Sequence, residues 1–306
     1  MPVHRLFSFE ELKDATNNFH RSTLIGEGSN GKIYKGKLGN GTIIAIRHLT
    51  VSKKYTIRNL KLRLDLFARL RHPHLVCLLG HCISSEGTDD SDSNKVYLVY
   101  EYVHNGNYRS LLAGNDPEKV LKWEDRLRVL TGVAKAVHFL HTGLIPGFFN
   151  NRLKANNILL NEDGMAKLSD YGLSIIGEDI KQGDAKGEGV ESWQMKNLED
   201  DVYSFGFILL ETLVGPSAAS RKDEFLTNEM ASFETEEERK KVVDPVVLAS
   251  CSQESLSVII SITKKCFCGD SWDRPSFEDV LWHLQYADQV QAGANRPAEA
   301  VLFMGC

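Results

Sequence analysis

A change of periodicity near Val103 constrains this chain more than any other feature. Residues 23–49, TLIGEGSNGKIYKGKLGNGTIIAIRHL, alternate β-branched and aromatic residues between glycines. That is strand patterning, and Gly39-Asn40-Gly41 marks a hairpin within it. A helix is expected over 57–71, with Leu60, Leu64, Phe67 and Leu70 on one face. Strands follow near 75–83 and 96–102, around a polar loop. Upstream, FSFEELKDATNNF places Phe9, Leu12, Ala15 and Phe19 at helical spacing, with Ser8 as N-cap and Glu11 completing a capping box. After VYLVYEYV the spacing turns helical, near 107–113, 122–142, 199–215, 235–242, 253–268 and 276–289, broken by IPG, VGP and DRP. A small β lobe leading into a larger α lobe is a two-lobed α+β arrangement. The expected parts are a leading segment 1–20, a β-rich lobe and hinge 21–103, a helical lobe 104–289 and a loose tail 290–306.

Composition narrows the function classes. Hydrophobic residues make up 42% and charged residues 25%, which fits a globular chain with a buried core. The formal net charge of −5 argues against nucleic-acid binding. No apolar run reaches the roughly 18–20 residues that span a bilayer. The start MPVHRLFSFEEL lacks a signal-peptide core, Pro2 excludes myristoylation, and FMGC is not a prenylation box. The expectation is a chain that is soluble and cytoplasmic as it stands. The six cysteines form no framework and read as reduced thiols. Cys266 and Cys268 lack a second pair at zinc-like spacing. The histidines form no cluster in sequence. Serines beside acids in 84–93 read as a solvated loop, with phosphorylation as the alternative.

Gly26-Glu27-Gly28-Ser29-Asn30-Gly31 is G-x-G-x-x-G, with Ile33 two residues on. Its strand–turn–strand setting disfavours a dinucleotide fold and favours the phosphate-covering loop of a protein kinase. The alternative is an ordinary glycine-rich hairpin. The rest of the chain resembles the plant receptor-like kinase family (RLK/Pelle type), and the probable inactive leucine-rich repeat members in particular. FSFEELKDATNNF with LIGEGSNGKIYKG is similar to the family's juxtamembrane-to-glycine-loop signature. RLRHPHLVCLLGHC resembles the end of its αC helix and the next strand. LVYEYVHNGN resembles its gatekeeper, Tyr100, and its hinge, Glu101 to Val103. DVYSFGFILLETLVG and DRPSFEDVL resemble two of its helices, with Arg274 in the family's usual place. The resemblance implies a two-lobed protein-kinase-like fold, with one helix, αC, in the small lobe. It implies nucleotide contacts at Gly26, Gly28, Gly31, Ile33, Ala45, Arg47, Glu101, Val103 and Lys154. It also implies metal ligands at Asn157 and Asp170.

The catalytic positions depart from that template. In V-A-I-K a lysine holds phosphates and pairs with an αC glutamate. Here IAIR places Arg47 at the lysine, and the RLDLFARLRH alignment places Arg63 at the glutamate. Two cations at ~4 Å repel by roughly 4 kcal/mol at an effective dielectric of about 20. The expectation is therefore a helix displaced outward, with Asp65 on another face. FFNNRLKANNILL supplies Lys154 and Asn157 but puts Asn150, Asn151 and Arg152 at the H-R-D positions. Arginine has no acceptor and cannot serve as a base. Asp170-Tyr171-Gly172 keeps the aspartate of D-F-G. Only 31 positions separate Asp170 from Asp201 (201 − 170), without an A-P-E triplet. IIGEDIKQGDAKGEGVESWQMKNLED reads as a mobile loop, with Glu191 as a stand-in partner for Arg274.

The expected function is a catalytically inactive kinase domain, a protein-binding and allosteric module with weak or no ATP binding. No cofactor is required, although ATP with magnesium fits the template. The alternative is an atypical Ser/Thr kinase. By resemblance, the partners are other proteins, such as an active receptor kinase or its substrates. The membrane enters only through an upstream span of a longer receptor, which puts this domain on the cytoplasmic side of the plasma membrane.

Overall fold

The computed structural model describes residues 4–28, 31–52, 56–84, 93–114, 120–143, 152–173, 176, 190–216 and 233–295. The chain divides into two compact units. One is Met1–His104 with Ser169–Gly187, and the other is Asn105–Leu168 with Glu188–Cys306.

The first unit is built on a six-stranded sheet. Its elements are β1 (Arg5–Leu6), α1 (Phe9–Ala15), β2 (Leu24–Gly28), β3 (Gly31–Lys37), β4 (Ile43–Ser52), α2 (Ile57–Phe67), β5 (Leu78–Ser84) and β6 (Ser93–Glu101). The strand order is β1-β5-β6-β4-β3-β2. Only β1 with β5 is parallel. The turn at Gly39-Asn40-Gly41 joins β3 to β4, with Gly41 at φ +88° and the Asn40 side chain accepting from the Thr42 amide at 3.0 Å. Gly31 is obligatory: its φ is +86°, and a Cβ there would sit 2.0 Å from the His48 carbonyl oxygen. Ser29 and Asn30 lie outside the described residues.

Strand β4 is the pivot, because successive side chains point to opposite faces. Ile44 and Ile46 join Phe7, Leu12, Leu38, Cys82, Tyr97 and Val99 in one buried cluster. Ala45, Arg47 and Leu49 take the other face. The leading segment is therefore part of this unit's core, not an appendage. Ser8 caps α1, accepting from the Glu11 amide at 3.1 Å. The Glu11 carboxylate does not close the expected box; it accepts from Arg5 at 2.7 and 3.1 Å, a charged pairing that outcompetes a neutral amide. Beyond α1, Asn17, Asn18 and Phe19 all have left-handed φ, 50°, 60° and 53°. Asn tolerates this, but Phe does not without support. Support comes from the Phe19 amide on the Thr16 hydroxyl at 3.0 Å. The Phe19 ring also packs against Tyr97 and Tyr34, 5.3 and 5.2 Å between centroids.

The fold also brings together two histidines that are 77 positions apart. His4 Nε2 lies 3.2 Å from His81 Nδ1. Burial pushes His81 down from 6.5 to about 4, helped by His4 and Lys61 and opposed by Asp65. Burial lowers His4 too, with Asp65 opposing and Arg71 assisting. A histidine depressed in the fold takes up protons on unfolding, so its contribution is intact above pH 6.5 and lost as pH falls toward 4. Stability is expected to drop by up to roughly 2–3 kcal/mol over that window. Chemical denaturation at stepped pH checks it, and His81→Gln should flatten the profile.

The second unit is helical. It contains α3 (Tyr108–Leu112), α4 (Trp123–Thr142), the β7–β8 hairpin (Ile158–Leu160 and Ala166–Leu168), α5 (Val190–Val214), α6 (Glu236–Val242), α7 (Pro245–Ser250), α8 (Gln253–Cys266) and α9 (Phe277–Ala294). Leu127, Leu130, Val133 and Val137 of α4 and Phe205, Leu209 and Leu213 of α5 are buried at helical spacing. Arg126, 2% exposed, is held by the carbonyls of Leu121 and Thr212 and by Asp244 at 2.7–3.0 Å. Several element limits differ from the sequence reading: α2 ends at Phe67 and not 71, β5 starts at Leu78 and not 75, β6 starts at Ser93 and not 96, α7 is additional, and two further helix limits have a local cause. Helix α5 starts at Val190, inside the stretch read as a loop, because VESWQMKNLEDD contains no glycine or proline. Helix α9 runs to Ala294, past the expected boundary at 289. There Gln291 is buried, accepts from the Ser252 amide at 2.7 Å and donates to the Ser250 carbonyl at 3.1 Å. Among the described residues, no helix is long and apolar enough to cross a membrane. Residues 85–92 and 177–189, which carry the serine-acid loop and most of the segment after Asp170, lie outside the described residues.

Candidate functional site

The first unit places Arg47 in the middle of the sheet, with Ile33 on β3 and Leu98 on β6 as its cross-strand neighbours. It is 5% exposed. Its guanidinium forms a salt bridge and hydrogen bond with the carboxylate of Asp170, 123 positions away. The two side chains are 6% and 11% exposed, so the pair is largely desolvated. In such a setting each charge depends on the other, and losing one partner strands the second. The template gives these positions to a phosphate-binding lysine and a metal-binding aspartate. Here they satisfy each other.

The residues around Asp170 are fixed in turn. Asp170 has φ 62° and Gly172 φ 64°. The Tyr171 ring is buried 5.3 Å from Phe67 of α2, and its hydroxyl donates to the Val76 carbonyl at 2.6 Å. Burial raises the phenol well above its ordinary value, so it stays a donor. A Cβ on Gly172 would come within 2.8 Å of Phe67. Tyrosine for phenylalanine therefore adds a bond, which the sequence did not disclose. Arg63 is half-buried on α2, on the turn that also carries the buried Leu60 and Leu64, whereas Asp65 is exposed. Ala45, Tyr100 and Val103 line β4, β6 and the stretch after it. Burial raises the Tyr100 phenol, with Arg47 partly opposing. Glu101 is occupied with the backbone: its carboxylate accepts from the Cys77 amide at 2.9 Å, and its own amide donates to the Cys77 carbonyl at 3.0 Å.

In the second unit, Arg152 has left-handed φ, 49°. Its carbonyl accepts from the Asn157 side-chain amide at 3.0 Å. Asn157, 6% exposed, thus braces the loop that leads into β7. Lys154 is exposed and lines a cleft of about 200 Å³ with Leu153, Ala155, Tyr203, Phe207 and Glu211. Glu211 is paired with Arg109. Asn150 and Asn151 lie outside the described residues. Arg274 donates to the carbonyls of Cys268 and Glu199 at 3.0 and 3.2 Å and lies over the Tyr203 ring. The Glu191 side chain lies outside the described residues.

The two groups that the resemblance offers to a divalent cation are each engaged within their own unit. Magnesium demands a shell of oxygen ligands at short range. The Asp170 carboxylate is engaged by the Arg47 guanidinium through one oxygen, and Asn157 donates its side-chain nitrogen, not the oxygen a cation would take, to the Arg152 carbonyl. Among the described residues, no group of three His, Cys, Asp or Glu side chains is placed to hold a metal.

A β-rich lobe with one long helix, a helical lobe and these ordered positions define a protein-kinase fold. The family model for protein tyrosine and serine/threonine kinases matches residues 19–284, and the chain belongs to that family. It is 42% identical, over 96% of its length, to a probable inactive leucine-rich repeat receptor-like protein kinase of Arabidopsis thaliana, and spans 37% of that relative. It is 35% identical, over 95% of its length, to a probable LRR receptor-like serine/threonine-protein kinase of the same plant, spanning 39% of it. Among solved structures it is similar to the pseudokinase domain of BIR2, described as an immune regulator of the RLK/Pelle family. The TM-score is 0.77 at 26% identity, covering 93% of this chain and 86% of that one.

Proposed function

We propose that this domain is a pseudokinase: a kinase fold that works by binding and biasing other proteins and transfers no phosphate. The observation that carries the reading is the buried Arg47–Asp170 pair. A nucleotide with its metal would have to compete with this pairing for both charges. Arg152 stands where the template needs a base, and a positioned base contributes about 10²–10⁴-fold to rate. Arg63 stands where it needs the glutamate. Gly26, Gly28, Gly31 and Ile33 keep the glycine-loop pattern, so ATP binding is weak or absent by this reading, not barred by the loop. The names of the relatives support a place in a plant receptor-like protein, with this domain on the cytoplasmic side of the plasma membrane. An active receptor kinase or one of its substrates then serves as partner, because a domain without transfer acts by shifting another protein's equilibrium.

The test is thermal unfolding with millimolar ATP, with and without Mg²⁺. A site with a dissociation constant of one hundredth of the ligand concentration stabilises by about 2.7 kcal/mol, or roughly 4 °C for a domain of this size. We expect a shift below about 1 °C. The competing reading, an atypical Ser/Thr kinase, rests on the glycine loop and the exposed Lys154. It requires the large shift, together with labelled-phosphate transfer that Asp170→Ala abolishes.

A further inference from the structure

The outer side of α9 carries a paired aromatic face. Trp282 is 59% exposed and Tyr286 38% exposed. Standing four residues apart, they share one side of the helix. Their ring centroids are 5.5 Å apart and the planes 7° from parallel. Neighbours hold the stack in place. Tyr286 donates its hydroxyl to Glu254 of α8 at 3.1 Å. The His283 ring meets Trp282 edge-on at 5.0 Å, and its Nδ1 lies 2.7 Å from the Asp279 carbonyl oxygen. A preorganised flat face loses little entropy when something settles on it.

The charges around this face are mostly acidic, with Lys265 of α8 within electrostatic reach of Asp279. Helix α9 carries Glu278, Asp279 and Asp288 and neither lysine nor arginine. Glu278 is exposed one turn before Trp282, and Glu254 stands at the Tyr286 end. Asp279 is committed to the helix cap, bonded to Ser276 at 2.7 Å. The basic residues of α8 belong to its last turn: Lys264 pairs with Glu234 at 3.8 Å, and Lys265 stands at the Asp279 end of the face, so the Glu254 end is the more acidic of the two. An aromatic slab between two carboxylates suits a planar cation. The ring faces attract it, and the carboxylates receive its N–H groups.

We propose that the Trp282–Tyr286 face is a docking surface for an arginine-bearing segment of a partner protein. Arginine fits better than lysine, because a guanidinium stacks flat while offering donors at its edge. The inference does not depend on the state of Arg47 and Asp170.

The probe is a fluorescein-labelled nonapeptide of alternating arginine and glycine, titrated with the full chain at low salt and followed by anisotropy. Lysine–glycine and glutamate–glycine peptides serve as comparisons. Saturable binding of the arginine peptide is expected, weakened about tenfold by Trp282→Ala. Glu278→Lys should weaken it further, the lysine peptide should bind several-fold less tightly, and the glutamate peptide should not bind. Both substituted side chains are exposed, so unchanged melting confirms that the variants are folded. Equal binding by Trp282→Ala, or by the glutamate peptide, overturns the proposal. So does tighter peptide binding by a chain ending at Asn295, which would make residues 296–306 the occupant. Self-association abolished by Trp282→Ala, seen by sedimentation without peptide, overturns it in favour of a second copy of the chain.

Discussion

Asp170→Ala is expected to destabilise this protein by about 3–5 kcal/mol, because it takes a carboxylate away from the largely desolvated Arg47 guanidinium. The melting temperature should fall by roughly 5–8 °C. A kinase site in which the aspartate mainly awaits a metal predicts a different pattern, with activity lost and stability nearly kept. The companion variant separates stranded charge from lost packing. Arg47→Met combined with Asp170→Ala removes both charges and keeps the same residue at the left-handed φ of position 170, so it should recover the part of the loss that the unpaired charge causes. Double-mutant analysis by urea denaturation gives the coupling directly. An Asp170→Ala protein that melts with the unaltered one would mean that the pair is not the anchor described here.

Gly80→Ala should cost about 3 kcal/mol through a single added carbon. A Cβ at that position would lie 2.0 Å from the Arg5 carbonyl oxygen and 2.7 Å from the Phe7 ring. The backbone of β1 cannot yield without giving up its pairing with β5. The loss should be local to the leading segment. Hydrogen exchange is expected to rise in residues 5–16 first and to leave α8 and α9 protected. If protection of 5–16 is unchanged, β1 does not hold the segment in place.

Much of this fold was legible because its signals are local. The hairpin at Gly39-Asn40-Gly41 and the helices carrying Leu60 or Val133 follow from spacing and turn chemistry. The ordered motifs from the glycine loop to DRPSFEDVL fixed the family. What escaped was tertiary. Opposite charges at Arg47 and Asp170 could be read from their template positions, but the template assigned each to a nucleotide or its metal and not to the other. His4 and His81 share no sequence pattern. The Tyr171 hydroxyl had no visible acceptor until Val76 was placed beside it. The start of α5 was missed because the glycines before it suggested loop, although VESWQMKNLEDD has helix-forming composition. Gln291 reads as a surface residue, and only its bonds to Ser250 and Ser252 show why α9 persists.

The docking of the leading segment decides where such a domain can be cut for recombinant expression. Sequence motifs suggest starting at the glycine-loop strand, after residue 20. A chain begun there would lack Phe7, Phe9, Leu12 and Phe19, and with them the cover over Ile44, Ile46, Tyr97 and Val99. An exposed apolar face of that kind on a sheet invites aggregation. Insolubility of the shortened chain would then report on the cut, and would say nothing about the stability of the intact domain.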